Sequence, residues 1–289
     1  MCNLYQMTPK NDLATYLAAR VDVNWRDAPT ADEPAASQRP VGPFGTGLFL
    51  RPQADGEGEG EGEGVGDDGD APGALQAQWG QWGLIRPGQR ERIDLMTPRP
   101  TGRGKPPAPR PRSTNNARIE GIADKPTFRD AWRQGRRCLI PAQWYAEPNW
   151  ETGQNVWWHQ RRRDGEPWFL AGLWSLWTDP HTGEQVPNYT MITCNCDGHP
   201  LLGRLHKPDP TLPDDAQDKR SLVHVPLQRW QQWLLGDEHE ARSLLHPPEV
   251  DAFDLSDALA MDARLAALRE QARAREAAAL APPAQGDLF

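Results

Sequence analysis

Short apolar runs rich in β-branched and aromatic residues, each followed by turn-forming residues, recur along most of the chain. In several of these runs polar residues occupy alternate positions, as in strands that bury one face. About seven such runs at this spacing predict a curved antiparallel sheet or an open barrel. The predicted strands are residues 45–50, 74–85, 137–145, 156–160, 167–177, 188–194 and 221–226.

Helical patterns are fewer than strand patterns. Residues 8–20 predict a helix, with Thr8 as its capping residue and Pro9 at the first helical position. Two further helices are predicted over 126–134 and 226–235. We therefore expect an α+β fold dominated by β-strands, in which a few helices flank the sheet or barrel.

The length of 289 residues suits one substantial core. We expect a single domain over residues 1–250, followed by a helical, flexible appendage over 251–289. Within the appendage the Ala-rich stretch 257–280 favours a solvated helix, because its apolar stripe is thin. Residues 52–73 and 97–114 are expected to be disordered loops, because their Gly, Glu, Pro and Arg residues bury little apolar surface.

The formal net charge of −8 argues against a nucleic-acid partner until its distribution is considered. Residues 54–70 contain eight acidic residues and no basic one, so the remainder of the chain is neutral. Residues 86–137 contain 14 Lys or Arg and five Asp or Glu. A basic segment therefore lies inside a neutral body, which is compatible with a nucleic-acid partner.

No window approaches the length of about 18 uncharged apolar residues that a membrane helix needs. The N-terminus also lacks the basic and apolar regions of a secretory signal, so we expect no membrane partner and a cytoplasmic protein. Four cysteines, Cys2, Cys138, Cys194 and Cys196, do not make a disulfide framework in a chain of this size. They are therefore considered singly.

Cys2 is the residue with the most specific chemistry. A small side chain after Met1 is the situation in which the initiator methionine is removed, leaving Cys2 with a free α-amino group beside its thiol. Such an amine, with an ordinary pKa of about 7.7–8.0, attacks an aldehyde to give an imine. The thiol then adds to the imine carbon and closes a thiazolidine, which outlasts a simple imine because this step is intramolecular. Both groups must lie at an opening that admits the aldehyde.

Six segments, the first of which contains Cys2, occur along the chain in an order that is typical of one protein family. They are MCNLYQMT (1–8), WGLI (82–85), NAR (116–118), FRDAWRQGRRCLIPAQWYAEP (128–148), FLAGLWSLW (169–177) and HPLLGRLHKP (199–208). In these segments the chain resembles the SOS response-associated peptidase family, also called the abasic-site processing or DNA–protein crosslinking family. The resemblance extends from residue 1 to about 235, apart from the two low-complexity segments.

The resemblance implies that the domain senses abasic sites in single-stranded DNA and captures them as a covalent thiazolidine in the DNA damage response. It also implies abasic-lyase-like and autopeptidase activity, no cofactor or metal, replication-fork proteins as further partners, and a monomer that joins the nucleoid on DNA. Cys2 is the implied nucleophile, and Asn116 orients the N-terminal residue or a sugar oxygen. Arg118 holds a phosphate, Glu147 protonates the sugar ring oxygen, and His206 is the second proton-transfer group.

Single-stranded DNA is usually held by basic residues and aromatic platforms. Trp79 and Trp82, beside the basic segment, are predicted to act as wedges against neighbouring bases. The predicted phosphate contacts are Arg86, Arg90, Arg112, Arg118, Arg136 and Arg137. The tryptophans assigned mostly to the core are Trp157, Trp158, Trp168, Trp174 and Trp177.

Three alternatives stay open at this point. Thiol and imidazole ligands within 13 residues suggest a metal site at Cys194, Cys196, His199 and His206, although their spacing fits no common zinc pattern. A thiol peptidase would combine Cys2 with His206 and Asn116. In the third alternative the protein binds single-stranded DNA without a covalent bond, and Cys2 is incidental.

Overall fold

The structure is a computed structural model that describes residues 2–26, 39–53, 74–97 and 107–280. Its central strands are β3 (Thr46–Pro52), β4 (Leu75–Trp82), β8 (Arg137–Asn149), β10 (Trp168–Thr178) and β11 (Gln185–Asn195). They are hydrogen-bonded in the order β11, β10, β8, β3, β4, and β4 also pairs with β11, so that the five strands close into a barrel. The strand-dominated α+β fold is confirmed, and the barrel is closed rather than open.

The closure of the barrel depends on a parallel pairing that the sequence does not signal. Gln81 and Trp82 of β4 lie beside Asn188 and Tyr189 of β11, whereas the other neighbours around the ring are antiparallel. The backbones approach closely here, because a Cβ added at Gly80 would lie 2.8 Å from the carbonyl oxygen of Pro187. Glycine is the residue that permits this approach.

Shorter strands extend the barrel on several sides. They are β1 (Tyr5–Met7), β2 (Val23–Asn24), β5 (Leu95–Met96), β6 (Arg110–Pro111), β7 (Asn116–Arg118), β9 (Val156–Gln160) and β12 (Arg220–Leu222). β1 and β9 pair with β8, while β7 and β12 pair with β11, and β5 pairs with β6 in a separate small sheet. The N-terminal strand is thus fixed to the longest strand of the barrel, β8.

The helices lie outside the barrel. They are α1 (Lys10–Leu17), α2 (Arg129–Arg133), α3 (Trp230–Leu234), α4 (Glu238–Arg242) and α5 (Ser256–Leu280). The first three fall within the predicted helical segments, but each is shorter than predicted. α3 continues a 3-10 turn at Leu227–Arg229, which accounts for the start of the third predicted helix. Within the described ranges, no helix combines the length and apolar character needed to cross a membrane.

The predicted C-terminal appendage is in part an element of the domain. Phe253 is 1% exposed and packs on Trp168 at a ring-centroid distance of 5.3 Å. Ala258 and Met261 of α5 are buried as well, whereas Leu259 and Leu268 are exposed. The chain therefore leaves the core within α5, beyond the boundary predicted at residue 250.

Most of the two predicted loops lies outside the described residues, namely 54–73 and 98–106. The prediction for 97–114 fails at its end. Arg110 and Pro111 form strand β6, where they pair with Met96 and Leu95.

Candidate active site

The N-terminal segment brings Cys2 into the protein interior along β8. Tyr5 pairs with Tyr145, and the backbone amide of Ala146 donates to the carbonyl of Leu4 at 2.9 Å. Cys2 is 0% exposed, and its Sγ donates to the carbonyl of Leu4 at 3.3 Å. In the chain with Met1 attached, the thiol is therefore covered. The predicted chemistry requires an accessible thiol.

Two adjacent asparagines bind the backbone of Cys2. The Nδ2 atoms of Asn115 and Asn116 donate to the Cys2 carbonyl at 3.2 and 2.7 Å. Asn116 belongs to β7, whose parallel pairing with β11 places it opposite Met191. The resemblance predicted the contact of Asn116, but it missed Asn115. The sequence signal for Asn115 is the pair of consecutive asparagines before Ala117, because each side-chain amide provides hydrogen-bond donors.

Glu147 and His206 form a pair on the same side of the barrel as the N-terminal segment. Glu147 is 2% exposed, and its Oε2 lies 2.9 Å from Nε2 of His206, at hydrogen-bond distance. One proton joins the two groups: either the imidazole donates to the carboxylate, or a protonated carboxyl group donates to the imidazole. Glu147 lies two residues beyond Tyr145, the β8 partner of Tyr5, so Cys2 and the pair share one end of the barrel.

The thiol of Cys2 is electrostatically close to Glu147. Burial raises the pKa of the Cys2 thiol well above its ordinary value, and the negative charge of Glu147 raises the pKa further. A buried thiol with this pKa stays protonated near neutral pH. Any reaction at its sulfur therefore needs an acceptor for the thiol proton.

A cationic groove lies beside Asn116. Its volume is about 390 Å³, and its lining residues are Arg112, Ser113, Thr114, Asn116, Arg118, Lys125, Pro126, Thr127 and Phe128. Arg118 pairs with Asp218 at 2.6 Å, and Arg112 pairs with Asp94 at 2.9 Å. Asn116 both lines the groove and binds the Cys2 carbonyl, so one residue connects the groove with the buried N-terminal segment. It contains two of the arginines predicted to contact phosphate.

Two of the predicted DNA contacts are wrong because the residues are buried. Trp82 is 0% exposed, and its Nε1 donates to the carbonyl of Asn115 at 2.9 Å. Arg137 is 5% exposed, donates to the carbonyl of Gly236 and lies over the ring of Trp233. Trp79 is partly buried and packs against the core.

The other predicted arginines do not line the cationic groove. Arg86 and Arg90 line a separate groove of about 510 Å³. Arg136 lies over the ring of Trp174 at 5.7 Å and lines a third groove with Trp177. Among the tryptophans assigned to the core, Trp157 is 48% exposed and was assigned wrongly.

The alternative metal site lacks a grouped set of ligands. Among the described residues no three His, Cys, Asp or Glu side chains are gathered as metal ligands. Nδ1 of His199 accepts from the backbone amides of Leu201 and Leu202, and Nε2 lies 2.8 Å from the carbonyl of Pro248. Both ring nitrogens of His199 thus have partners in the backbone.

Comparison with known proteins identifies the family. The family model for SOS response associated peptidase (SRAP) matches residues 1–259, which includes every residue of the candidate site. The chain therefore belongs to the SOS response associated peptidase family, as its motifs predicted.

Individual relatives are distant. The abasic site processing protein HMCES of Xenopus tropicalis is 23% identical over 153 residues, which are 47% of this chain and 43% of that protein. The match therefore spans less than half of that relative's length. A crystal structure of a Bordetella bronchiseptica protein has a TM-score of 0.62 and 27% identity, and the superposition covers 88% of this chain and 97% of that one. A Bacteroides thetaiotaomicron protein, with a TM-score of 0.57, 19% identity and coverage of 88% and 90%, shares the fold.

Proposed function

We propose that the chain, once Met1 is removed, binds single-stranded DNA in the cationic groove and captures abasic sites through Cys2. Asn116, which binds the Cys2 carbonyl and lines this groove, carries the proposal, together with the Glu147–His206 pair at the same end of the barrel as Cys2. The name of the relative HMCES, an abasic site processing protein, points to the same substrate. The ring-opened sugar of an abasic site supplies the aldehyde.

The covalent step needs no external reactant. The α-amine of Cys2 attacks the aldehyde carbon, water leaves, and a C=N bond forms. The sulfur then adds to the imine carbon while its proton ends on the nitrogen, which closes the thiazolidine. The proton moves from sulfur to nitrogen within the ring that forms. A thiol that is protonated because its pKa is raised can therefore react, provided that a nearby group transfers this proton.

Glu147 and His206 suit this proton transfer. A carboxyl group that is 2% exposed and bonded to an imidazole is shielded from water and held in one orientation. As the hemiacetal ring opens, the C1′–O4′ bond breaks and Glu147 gives a proton to the ring oxygen. The anomeric hydroxyl loses its proton as the aldehyde C=O bond forms, and the Glu147–His206 pair takes up that proton, which restores its protonation state. The Oδ1 atom of Asn116 is buried and has no hydrogen-bond partner among the described residues, so it is the acceptor for the α-amine of Cys2.

The groove favours the phosphate backbone of DNA. Arg112, Arg118 and Lys125 line it, and charge-assisted bonds to phosphate are the main source of affinity for single strands. Arg118 is already paired with Asp218, and their side chains are 39% and 43% exposed, respectively. A phosphate therefore competes with Asp218 for Arg118.

Because the Cys2 thiol is 0% exposed, the proposal also requires the N-terminal segment to shift and open a path for the aldehyde. Removal of Met1 is the step that prepares the site. It creates the α-amine of Cys2, and it is the one peptide-bond cleavage that the chemistry requires. Peptidase activity toward other substrates is not needed for the capture of abasic sites.

The test is the intact mass of the purified protein before and after mixing with an oligonucleotide that carries one abasic site. We expect a mass without Met1, and then an adduct equal to protein plus oligonucleotide minus one water. Cys2→Ala should lose the adduct and keep its affinity for the oligonucleotide. Cys194→Ala, which changes another buried cysteine in the middle of the β11–β12 pairing, is the matched control and should keep the adduct.

Retention of Met1 in crosslinking-active protein would contradict the proposal. So would an unchanged adduct yield in Cys2→Ala. Binding without any adduct in the wild type would instead support the non-covalent alternative.

A further inference from the structure

His206 has a backbone conformation that is unusual for its residue type. Its φ angle is +63°, in the left-handed region that residues other than glycine seldom adopt. Such a conformation persists only where neighbouring groups hold it. The backbone amide of His206 donates to the carbonyl of Pro148 at 2.6 Å, which ties one side of the residue to β8.

Lys219 holds the other side of the same backbone. Its Nζ donates to the carbonyl of His206 at 2.6 Å and to the carbonyl of Leu205 at 2.7 Å. Lys219 is 7% exposed, so both bonds are shielded from competing water. One ammonium group therefore spans two consecutive carbonyls of the segment that carries the imidazole.

Lys219 is itself held at a fixed position. Its backbone amide donates to Oδ1 of Asp197 at 2.7 Å, and its carbonyl accepts from the amide of Cys196 at 2.9 Å. The preceding residue, Asp218, donates from its amide to the other oxygen of Asp197 at 3.1 Å. The ammonium thus extends from a backbone anchored at the end of β11 to the His206 segment.

We propose that Lys219 is a positioning residue, which keeps His206 in hydrogen-bond contact with Glu147 by fixing the left-handed backbone of His206. The inference rests on the proposed function for its consequence in crosslinking, but its structural part does not depend on that function. Lys219 acts through His206 and does not touch the DNA.

The substitution Lys219→Met tests the inference. Methionine has a similar length and no donor, so the two carbonyls lose their bonds while the side-chain volume is nearly kept. We expect single-turnover crosslinking to an abasic oligonucleotide to slow on the order of tenfold or more, because a displaced proton-transfer group loses its alignment. Lys207→Met is the matched control. It removes an exposed ammonium next to His206 that lies over the Trp150 ring, and it should leave the rate unchanged.

A double-substitution cycle separates positioning from a general loss of stability. In a His206→Gln background, Lys219→Met should slow the reaction little further, since the group that it positions is already absent. Full additivity of the two effects would overturn the inference, as would a wild-type rate in Lys219→Met.

A measurement without DNA keeps the inference independent of the proposed function. The ¹⁵N chemical shifts of the His206 ring, assigned by comparison with His206→Gln, report its bond to Glu147. We expect Lys219→Met to change these shifts and Lys207→Met to leave them in place. Unchanged shifts in a folded Lys219→Met protein would refute positioning, whereas absence of crosslinking in the wild type would refute only the proposed function.

Discussion

Glu147→Gln isolates proton transfer at the candidate site. Glu147 is 2% exposed and lies 2.9 Å from Nε2 of His206, so Gln fills the same volume and its amide oxygen accepts the same bond. General acid–base catalysis contributes about 10²–10⁴-fold. We therefore expect formation and reversal of the adduct to slow at least about 100-fold, equivalent to ~2.7 kcal/mol of barrier. DNA affinity should persist, because a side chain so deeply buried makes no contact with the phosphate backbone.

The same substitution has an opposite effect on the thiol. After burial, the charge of Glu147 is the second contribution that raises the pKa of Cys2, so its removal lowers that pKa and increases the thiolate fraction. If Glu147 influenced only the thiol, Glu147→Gln would crosslink faster. The direction of the change therefore distinguishes proton transfer from thiol activation.

The assay is single-turnover crosslinking to an abasic oligonucleotide, followed on denaturing gels, with reversal measured by transfer to excess competitor. Glu151→Gln is the control, because Glu151 follows the end of β8 and pairs with Arg204 at 2.9 Å. It should keep the wild-type rates. Equal or faster crosslinking in Glu147→Gln would remove Glu147 from the proton-transfer step.

Two further predictions concern charge. Arg118→Met should weaken DNA binding and reduce the slope of log K against log salt by about 0.7, which corresponds to the loss of one phosphate contact. Asp218→Asn should tighten binding, because it releases Arg118 from its ion pair. An unchanged slope for Arg118→Met in anisotropy titrations over a salt series would contradict this prediction. Burial lowers the pKa of His224 from 6.5 to about 3, so the unfolded chain takes up a proton below about pH 6.5 that the folded protein does not. The free energy of unfolding should therefore fall by about 2 kcal/mol between neutral pH and pH 5. In urea unfolding, His224→Phe should lack this part of the loss. An equal loss in both proteins would refute the role of His224.

The pattern of the sequence predicted the strands because alternation is a local property. All seven predicted runs contain a strand, and the helix predicted over 257–280 is observed as Ser256–Leu280. The parallel contact of β4 with β11 has no local signal, because it joins residues more than 100 positions apart. The pattern of the sequence therefore did not predict that the barrel closes, and only the tertiary structure shows it.

Which face a side chain occupies was the main source of error. Trp79 and Trp82 are three positions apart on one strand, and residues at odd separations face opposite sides. The structure buries Trp82 in the core and leaves Trp79 partly buried. The same rule separates Trp157, which is exposed, from Trp158, which is 2% exposed. In β4, however, neighbouring residues on both faces are buried, so the two-residue period alone does not show which tryptophan is covered.

By itself the sequence determined the strand-rich fold, the family and the chemistry available to a cysteine at position 2, because these depend on residue types and on patterns between near neighbours. Only the tertiary structure decided how that chemistry is surrounded. Burial of Cys2 and the pairing of Arg118 with Asp218 across 100 positions depend on which distant segments lie side by side, and the contact of Lys219 with His206 depends on how the segment between them folds back. Chain topology fixes those neighbours, and no local pattern records them.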